Sequence, residues 1–200
     1  MLLIGLQSAL AAQDRTILVF GDSLSAAYGL RPEQGWVALL EKRLQAQAYG
    51  YQVVNASISG ETTSGGLARL PRALSTHRPA IVILELGAND GLRGLPISVT
   101  RDNLTKLVQL ATVSGARVLL LGIRLPPNYG PRYGSEFAGM YGQVAEQQHL
   151  PLVPFLLEKV ALSPELMQAD GLHPSAAGEP PVLETVWPFL EPMLQRIPSH

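Results

Sequence analysis

Two short segments at opposite ends of the chain carry the residue types of nucleophilic hydrolysis. Gly21-Asp22-Ser23-Leu24 offers a hydroxyl, and Asp170-Gly171-Leu172-His173-Pro174 offers a carboxylate and an imidazole. A serine attacks a carbonyl only when a base takes its proton, and an imidazole serves as that base when a carboxylate holds it in the right tautomer. Ser23 directly follows the apolar run 16–20, which reads as a buried strand. The turn after such a strand sets its hydroxyl at the C-terminal edge, where open α/β sheets hold their ligands. Asp170 and His173 are close enough for one turn around Gly171 to carry both, and Pro174 biases His173 away from helical backbone. Each segment also has an ordinary reading. Gly-Asp-Ser is turn chemistry, with Gly21 free to take a positive φ and Asp22 or Ser23 able to cap a helix that follows. An Asp-x-x-His pair is common in exposed loops and at helix starts.

The elements that must position these groups are legible as alternating patterns. Apolar, β-rich runs recur at 16–20, 51–55, 80–86, 117–123 and, more weakly, 150–153. Between them Trp36, Leu39, Leu40 and Leu44, and then Leu104, Leu107, Val108 and Ala111, repeat at three and four residues, which puts one apolar face on each intervening helix. A further helix is expected to start near Ser135, after the turn-rich connector 126–131. Alternating strands and helices, with strand cores that are nearly continuous hydrophobics, predict a three-layer α/β/α domain around a parallel sheet of about five strands. In such a sheet the loops after the first three strands share one edge. Ser23, Gly60 and Asn89 lie on those loops, so the backbone N–H groups of Ser23 and Gly60 and the Asn89 amide are candidates to receive a developing oxyanion.

The bulk properties narrow the classes. Two hundred residues, 46% hydrophobic and 16% charged, fit a single globular domain, read here as 13–200. A net charge of −1 without a basic stripe argues against nucleic-acid partners. The chain has no cysteine, and His77, His149 and His200 stand without ligand spacing, so they read as surface residues and no metal site is expected. Neither a Gly-x-Ser-x-Gly elbow nor a nucleotide-binding glycine loop occurs. Residues 1–12 form an uncharged apolar stretch in which Ala9-Leu10-Ala11 fits a small-x-small cleavage pattern, the rear part of a secretion signal, with a short N-terminal extension as the alternative. The stretch is shorter than the ~20 residues a membrane span needs, so no integral membrane segment is expected.

Four ordered blocks, Gly21-Asp22-Ser23-Leu24, Gly60, Gly87-x-Asn89-Asp90 and Asp170-x-x-His173, make the chain resemble the SGNH, or GDSL-type, hydrolases. Gln34-Gly35-Trp36, Asn55-Ala56-Ser57-Ile58-Ser59, Gly66-Leu67-Ala68-Arg69-Leu70-Pro71 and Ile123-Arg124-Leu125-Pro126-Pro127-Asn128-Tyr129-Gly130 extend the resemblance to the bacterial thioesterase I, protease I and lysophospholipase L1 (arylesterase) subgroup. The resemblance implies Ser23 as nucleophile, His173 as base, Asp170 as its orienting acid, and Ser23, Gly60 and Asn89 as the oxyanion hole. It also implies a flavodoxin-like sheet in the order 2-1-3-4-5, no metal or organic cofactor, and small acyl esters or thioesters as substrates. A periplasmic or secreted monomer is the corresponding expectation.

Three positions depart from that pattern: Ala88 where Gly is usual, Glu61 where Asp is usual, and Gly178-Glu179-Pro180-Pro181 where Ala-Gln precedes a single Pro. Asp22 and Asp90 are expected to brace loops. Arg93 and Arg124 read either as contacts to an anionic headgroup or coenzyme phosphate or as solvated surface. Leu24, Leu92, Leu95, Ile123 and Leu125 hint at an acyl-chain channel. Two alternatives stand beside this reading: a carbohydrate O-acyl esterase of the same fold, and a non-catalytic domain that holds an anion at a helix N-terminus after Ser23.

Overall fold

The computed structural model describes residues 15–194. The segment 1–12, read above as a signal remnant, and His200 lie outside them. Five parallel strands, β1 (Arg15–Gly21), β2 (Tyr51–Asn55), β3 (Ile81–Glu85), β4 (Arg117–Leu121) and β5 (Leu152–Val153), form one sheet in the order β2-β1-β3-β4-β5. The expected order and layering are therefore observed. Ile17 of β1 sits between Val53 and Ile81, and Val82 of β3 opposite Val118. Ile17–Phe20 and Ile81–Ile83 are wholly buried, because helices cover both faces of the sheet. On one face α1 (Trp36–Ala46) packs against α6 (Glu179–Leu190). On the other, α2 (Thr63–His77) packs against α4 (Ile97–Val113), and α4 against α5 (Pro131–Gln148). The short α3 (Ala88–Leu92) stands at the C-terminal edge, after β3.

Some local expectations are corrected. Helix α5 begins at Pro131 rather than near Ser135: Pro131 presets a helical φ at the first position, where no intrahelical N–H bond is lost. No helix starts at Asp22 or Ser23. The chain makes successive turns there, a 3₁₀ turn at Pro32–Gln34 follows, and α1 starts only at Trp36. Gly21 lies in β1 and is not among the positive-φ glycines. It is small for a steric reason, since a Cβ there would stand 2.6 Å from Glu85 Oε2 and 2.9 Å from the Glu85 carbonyl oxygen.

The unusual Gly178-Glu179-Pro180-Pro181 segment builds the junction of α6 with α1. Both prolines sit in the first turn of α6, where their missing N–H groups cost no helical bond. A Cβ at Gly178 would meet the Leu166 carbonyl at 2.2 Å. Glu179 is buried and accepts the Trp36 N–H at 2.7 Å, which satisfies one orphan donor at the start of α1. The Trp36 indole in turn donates to the Leu24 carbonyl, beside Ser23. Burial pushes the Glu179 carboxyl up to about 7, against the opposing pull of the Trp36 N–H. The folded protein thus holds a proton that the unfolded chain releases near pH 4.5. The corresponding stability is full below that pH and is lost as pH rises through 7. Glu179→Gln keeps an acceptor for Trp36 without the charge. It is expected to match the parent in thermal melts at pH 4.5 and to be more stable at pH 8 by about 2–3 kcal/mol. An equal shift at both pH values would show that ionisation of Glu179 is not what limits stability.

Candidate active site

The loop leaving β1 is anchored from below. The Asp22 N–H and the Ser25 hydroxyl both donate to Glu85 Oε2, at 3.2 and 2.8 Å. From β2 and the loop after it, the Asn55 amide donates to the Ser25 carbonyl and the Ile58 N–H to the Gly21 carbonyl. Ser23 is thereby held at the C-terminal edge of the sheet, as its place after the apolar run predicted.

His173 reaches Ser23 across 150 residues of sequence, with Nε2 2.9 Å from Ser23 Oγ. Its other ring nitrogen, Nδ1, lies 2.6 Å from Asp170 Oδ2. Asp170 Oδ1 accepts the N–H groups of Leu172 and His173, and the chain turns through Gly171 at φ +66°. One carboxylate therefore shapes the turn and orients the ring that the turn carries. Burial raises the Asp170 carboxyl, but the Leu172 N–H, the His173 ring and the His173 N–H outweigh it and hold the group below its ordinary value. An ionised Asp170 keeps the proton on Nδ1, so the Nε2 lone pair faces Ser23 Oγ and can take its proton.

Asn89 comes to the same edge on α3. Gly87 caps this helix at φ +119°, and a Cβ there would lie 2.4 Å from the Tyr141 hydroxyl. The Asn89 amide donates one hydrogen to Asp22 Oδ2 at 3.0 Å, leaving its second for a ligand. Asp22 also accepts the Leu24 N–H, and Asp90 accepts both the N–H and the hydroxyl of Thr63. Both aspartates thus brace loops, as expected. Gly60 occupies the third position of a turn closed by the Glu61 N–H on the Ile58 carbonyl, and its φ of +81° is what a type II turn requires there. The N–H groups of Ser23 and Gly60 donate to no acceptor among the described residues.

The description "GDSL-like Lipase/Acylhydrolase family" belongs to a family model that matches residues 19–179, a stretch running from within β1 past His173. The chain belongs to this family. It is 57% identical over 183 residues to Esterase TesA of Pseudomonas aeruginosa, covering 92% of this chain and 91% of that protein. To Thioesterase 1/protease 1/lysophospholipase L1 of Escherichia coli strain K12 it is 43% identical over 184 residues, 92% and 87% of the two chains. Among solved structures, the psychrotrophic esterase EstA from a Pseudoalteromonas species, inhibited by monoethylphosphonate, matches with a TM-score of 0.86 at 42% identity, covering 90% of this chain and 98% of that one. This GDSL-like hydrolase is accordingly a carboxylic ester hydrolase.

Its departures from the family pattern are accommodated locally. Glu61 pairs with Arg69, which also donates to the Ala56 carbonyl and lies over the Phe20 ring. Gly65 leaves the room, since a Cβ there would stand 1.9 Å from Glu61 Oε1. Ala88 is buried and lines the cleft beside Asn89. That cleft opens between Ser23, Asn89 and His173 and is walled by Leu24, Leu92, Ile123, Leu125, Leu157 and Leu172. Of the leucines expected to form a channel, Leu95 is the exception. It lies at the surface, and its carbonyl accepts the Tyr133 hydroxyl. Arg124 lies over the Phe155 ring, 3.7 Å from Glu158.

Several contributors to this GDSL-like site escaped the sequence reading. Glu85 is wholly buried beneath Asp22, and burial together with the Asp22 charge pushes its carboxyl well above the ordinary range. Burial also raises Asp22, to about 6, against the bonds from Leu24, Glu85 and Asn89. Two carboxyls so placed resist double ionisation. The available signal for Glu85 was a lone acid inside the apolar run 80–86. Tyr28 stacks on the His173 ring at 4.6 Å between centroids. Gln168 ties the two together, its amide donating to the Tyr28 and Pro174 carbonyls and its N–H to the His173 carbonyl. Among the described residues no group of three or more His, Cys, Asp or Glu side chains could hold a metal ion. The alternative of an anion held at a helix start after Ser23 loses its basis, because turns stand where that helix was required.

Proposed function

We propose that the chain hydrolyses acyl esters and thioesters through an acyl-serine intermediate on Ser23. The observation that carries this reading is the continuous relay from Ser23 Oγ to His173 Nε2 and from Nδ1 to Asp170 Oδ2, at 2.9 and 2.6 Å. His173 takes the Ser23 proton as Oγ attacks the acyl carbonyl, and Asp170 stabilises the imidazolium that forms. The carbonyl oxygen becomes an oxyanion held by the Ser23 and Gly60 N–H groups and the free hydrogen of Asn89. Collapse expels the alcohol or thiol, which receives the proton from His173. A water, deprotonated by the same ring, then releases the acid and frees Ser23.

The apolar walls of the cleft suit the acyl chain better than a sugar, which would need polar partners. Leu125, Leu157 and Leu172 continue into an adjoining groove with Phe155 and Met167, so the machinery grips the acyl half of the substrate. Names such as thioesterase and lysophospholipase among relatives support a loose preference for the leaving group. Because one chain supplies every catalytic group, a monomer suffices.

No helix among the described residues is long and apolar enough to cross a membrane. The small-residue stretch ending at Ala12 supports export to the periplasm. Expressed behind a complete signal in a Gram-negative host, the exported protein is expected to begin near Ala12 on N-terminal sequencing. Retention of Met1 in the cytoplasm would reject export.

The oxyanion assignment has its own test. Asn89→Ala is expected to lower kcat by roughly 10²–10³ for ester and thioester alike, with a smaller change in KM, because the lost bond strengthens in the transition state. An unchanged kcat, or a defect confined to KM, would place the oxyanion hole elsewhere.

A further inference from the structure

The two non-serine donors of the proposed oxyanion hole come from different segments, a turn and the helix α3, and they are not equally supported. The Asn89 amide is fixed by Asp22, which is itself anchored on the exit of β1. The base of the Gly60 turn is also secured, through the Ile58 N–H on Gly21 and through Arg69 on Ala56. Its apex is not packed. Gly60 is exposed, and a Cβ built on it would meet no atom within 4 Å. Arg93, the C-cap of α3, reaches this apex, where its Nη2 donates to the Gly60 carbonyl at 3.1 Å. The backbone N–H of the same residue donates to the Asn89 carbonyl at 3.2 Å, which places Arg93 one helical turn beyond the amide donor.

We propose that Arg93 is a positioning residue that sets the Gly60 N–H at a fixed place relative to the Asn89 amide, by bonding the Gly60 carbonyl from the C-cap of the helix that carries Asn89. The inference rests on the reading of Gly60 and Asn89 as oxyanion donors. Its physical basis is the geometry of the turn. With φ of Gly60 at +81° and no side chain to pack, the orientation of Gly60 rests on the peptide that follows it, which the Glu61 N–H on the Ile58 carbonyl holds from one side and Arg93 from the other. A tie to that carbonyl restrains the rotation that would swing the N–H away from the oxyanion. A guanidinium suits the task because its planar donors stay charged at every working pH. Arg93 is itself exposed, so its bond to Gly60 adds little to global stability. Its contribution is to alignment, where a displacement of ~1 Å is enough to cost as much as ~10² in rate.

The test compares Arg93→Ala, Arg93→Lys and Asn89→Ala in the full chain with one aryl ester and one acyl thioester. Arg93→Ala is expected to lower kcat by about 10- to 50-fold on both substrates, with KM within about 3-fold and the melting temperature within about 2 °C of the parent. Arg93→Lys, which retains a cationic donor, should recover a good part of that loss. Guanidinium chloride at tens of millimolar should raise kcat of Arg93→Ala, while sodium chloride at equal concentration should not. If kcat of Arg93→Ala stays near the parent while Asn89→Ala is impaired, Arg93 has no positioning role although the oxyanion hole stands. A rise in KM at constant kcat would instead make Arg93 a substrate contact and overturn the proposal. So would a loss of kcat that comes with a lowered melting temperature and no recovery in Arg93→Lys or with guanidinium. If Asn89→Ala itself keeps full kcat, the reading of the hole fails, independently of Arg93.

Discussion

Ser23→Ala is expected to reduce kcat for ester hydrolysis by roughly 10⁵–10⁶ and to abolish covalent labelling by a fluorophosphonate, while the protein stays folded. The size follows from the relay. Without Oγ the imidazole has no nucleophile to activate, and only the oxyanion donors and the binding cleft remain to assist water. The fold should survive because among the described residues the Ser23 side chain bonds only the His173 ring, which keeps Asp170, Tyr28 and Gln168 as partners. Mass spectrometry of the labelled protein, with a melting curve as control, decides the matter. Labelling at another serine with activity retained would sink the assignment.

The second large effect is expected at Asp170. Both of its oxygens act as acceptors, Oδ1 for two backbone N–H groups and Oδ2 for the His173 ring. Asparagine has a single acceptor oxygen. If that oxygen keeps the turn, the amide nitrogen faces Nδ1 as a donor and drives the ring proton to Nε2, where it blocks the base. If the amide is flipped, the turn loses its two bonds and His173 loses its position. Either way kcat should fall by up to roughly 10⁴. Hydrolysis rates from pH 6 to 9 measure this, with circular dichroism to confirm folding. Activity close to the parent would mean that another carboxylate orients His173.

Much of this site can be read from one sequence because the physics of a parallel sheet is simple. Nearly continuous apolar runs mark the strands, and strand ends mark the functional edge. Ser23, Gly60 and Asn89 follow three such runs, and Asp170 and His173 share a turn that Gly171 permits. These residues could be named without coordinates, since their chemistry is tied to local spacing or to an edge that the topology fixes. The ordinary turn reading of Gly-Asp-Ser, which left Gly21 free to take a positive φ, is not what the structure shows. The size of Gly21 is dictated instead by Glu85, 64 residues later, whose Oε2 and carbonyl leave no space for a Cβ. The start of α5 was misplaced because Pro131 was read as part of a connector, although proline is equally at home in a first helical turn.

What the sequence by itself determined is the inventory: a strand–helix alternation, a hydroxyl, an imidazole, a carboxylate and three candidate oxyanion donors at predictable edges. The tertiary structure alone decided how that inventory is aimed. Asp22 turning the Asn89 amide, Glu85 buried beneath it, Tyr28 and Gln168 steadying His173, and Arg93 holding the Gly60 carbonyl all join residues remote in sequence. No periodicity or short motif encodes such pairings. Hydrogen bonds and ring contacts depend on atomic distances of a few ångströms, and those arise only when separate loops are packed onto one edge of the sheet.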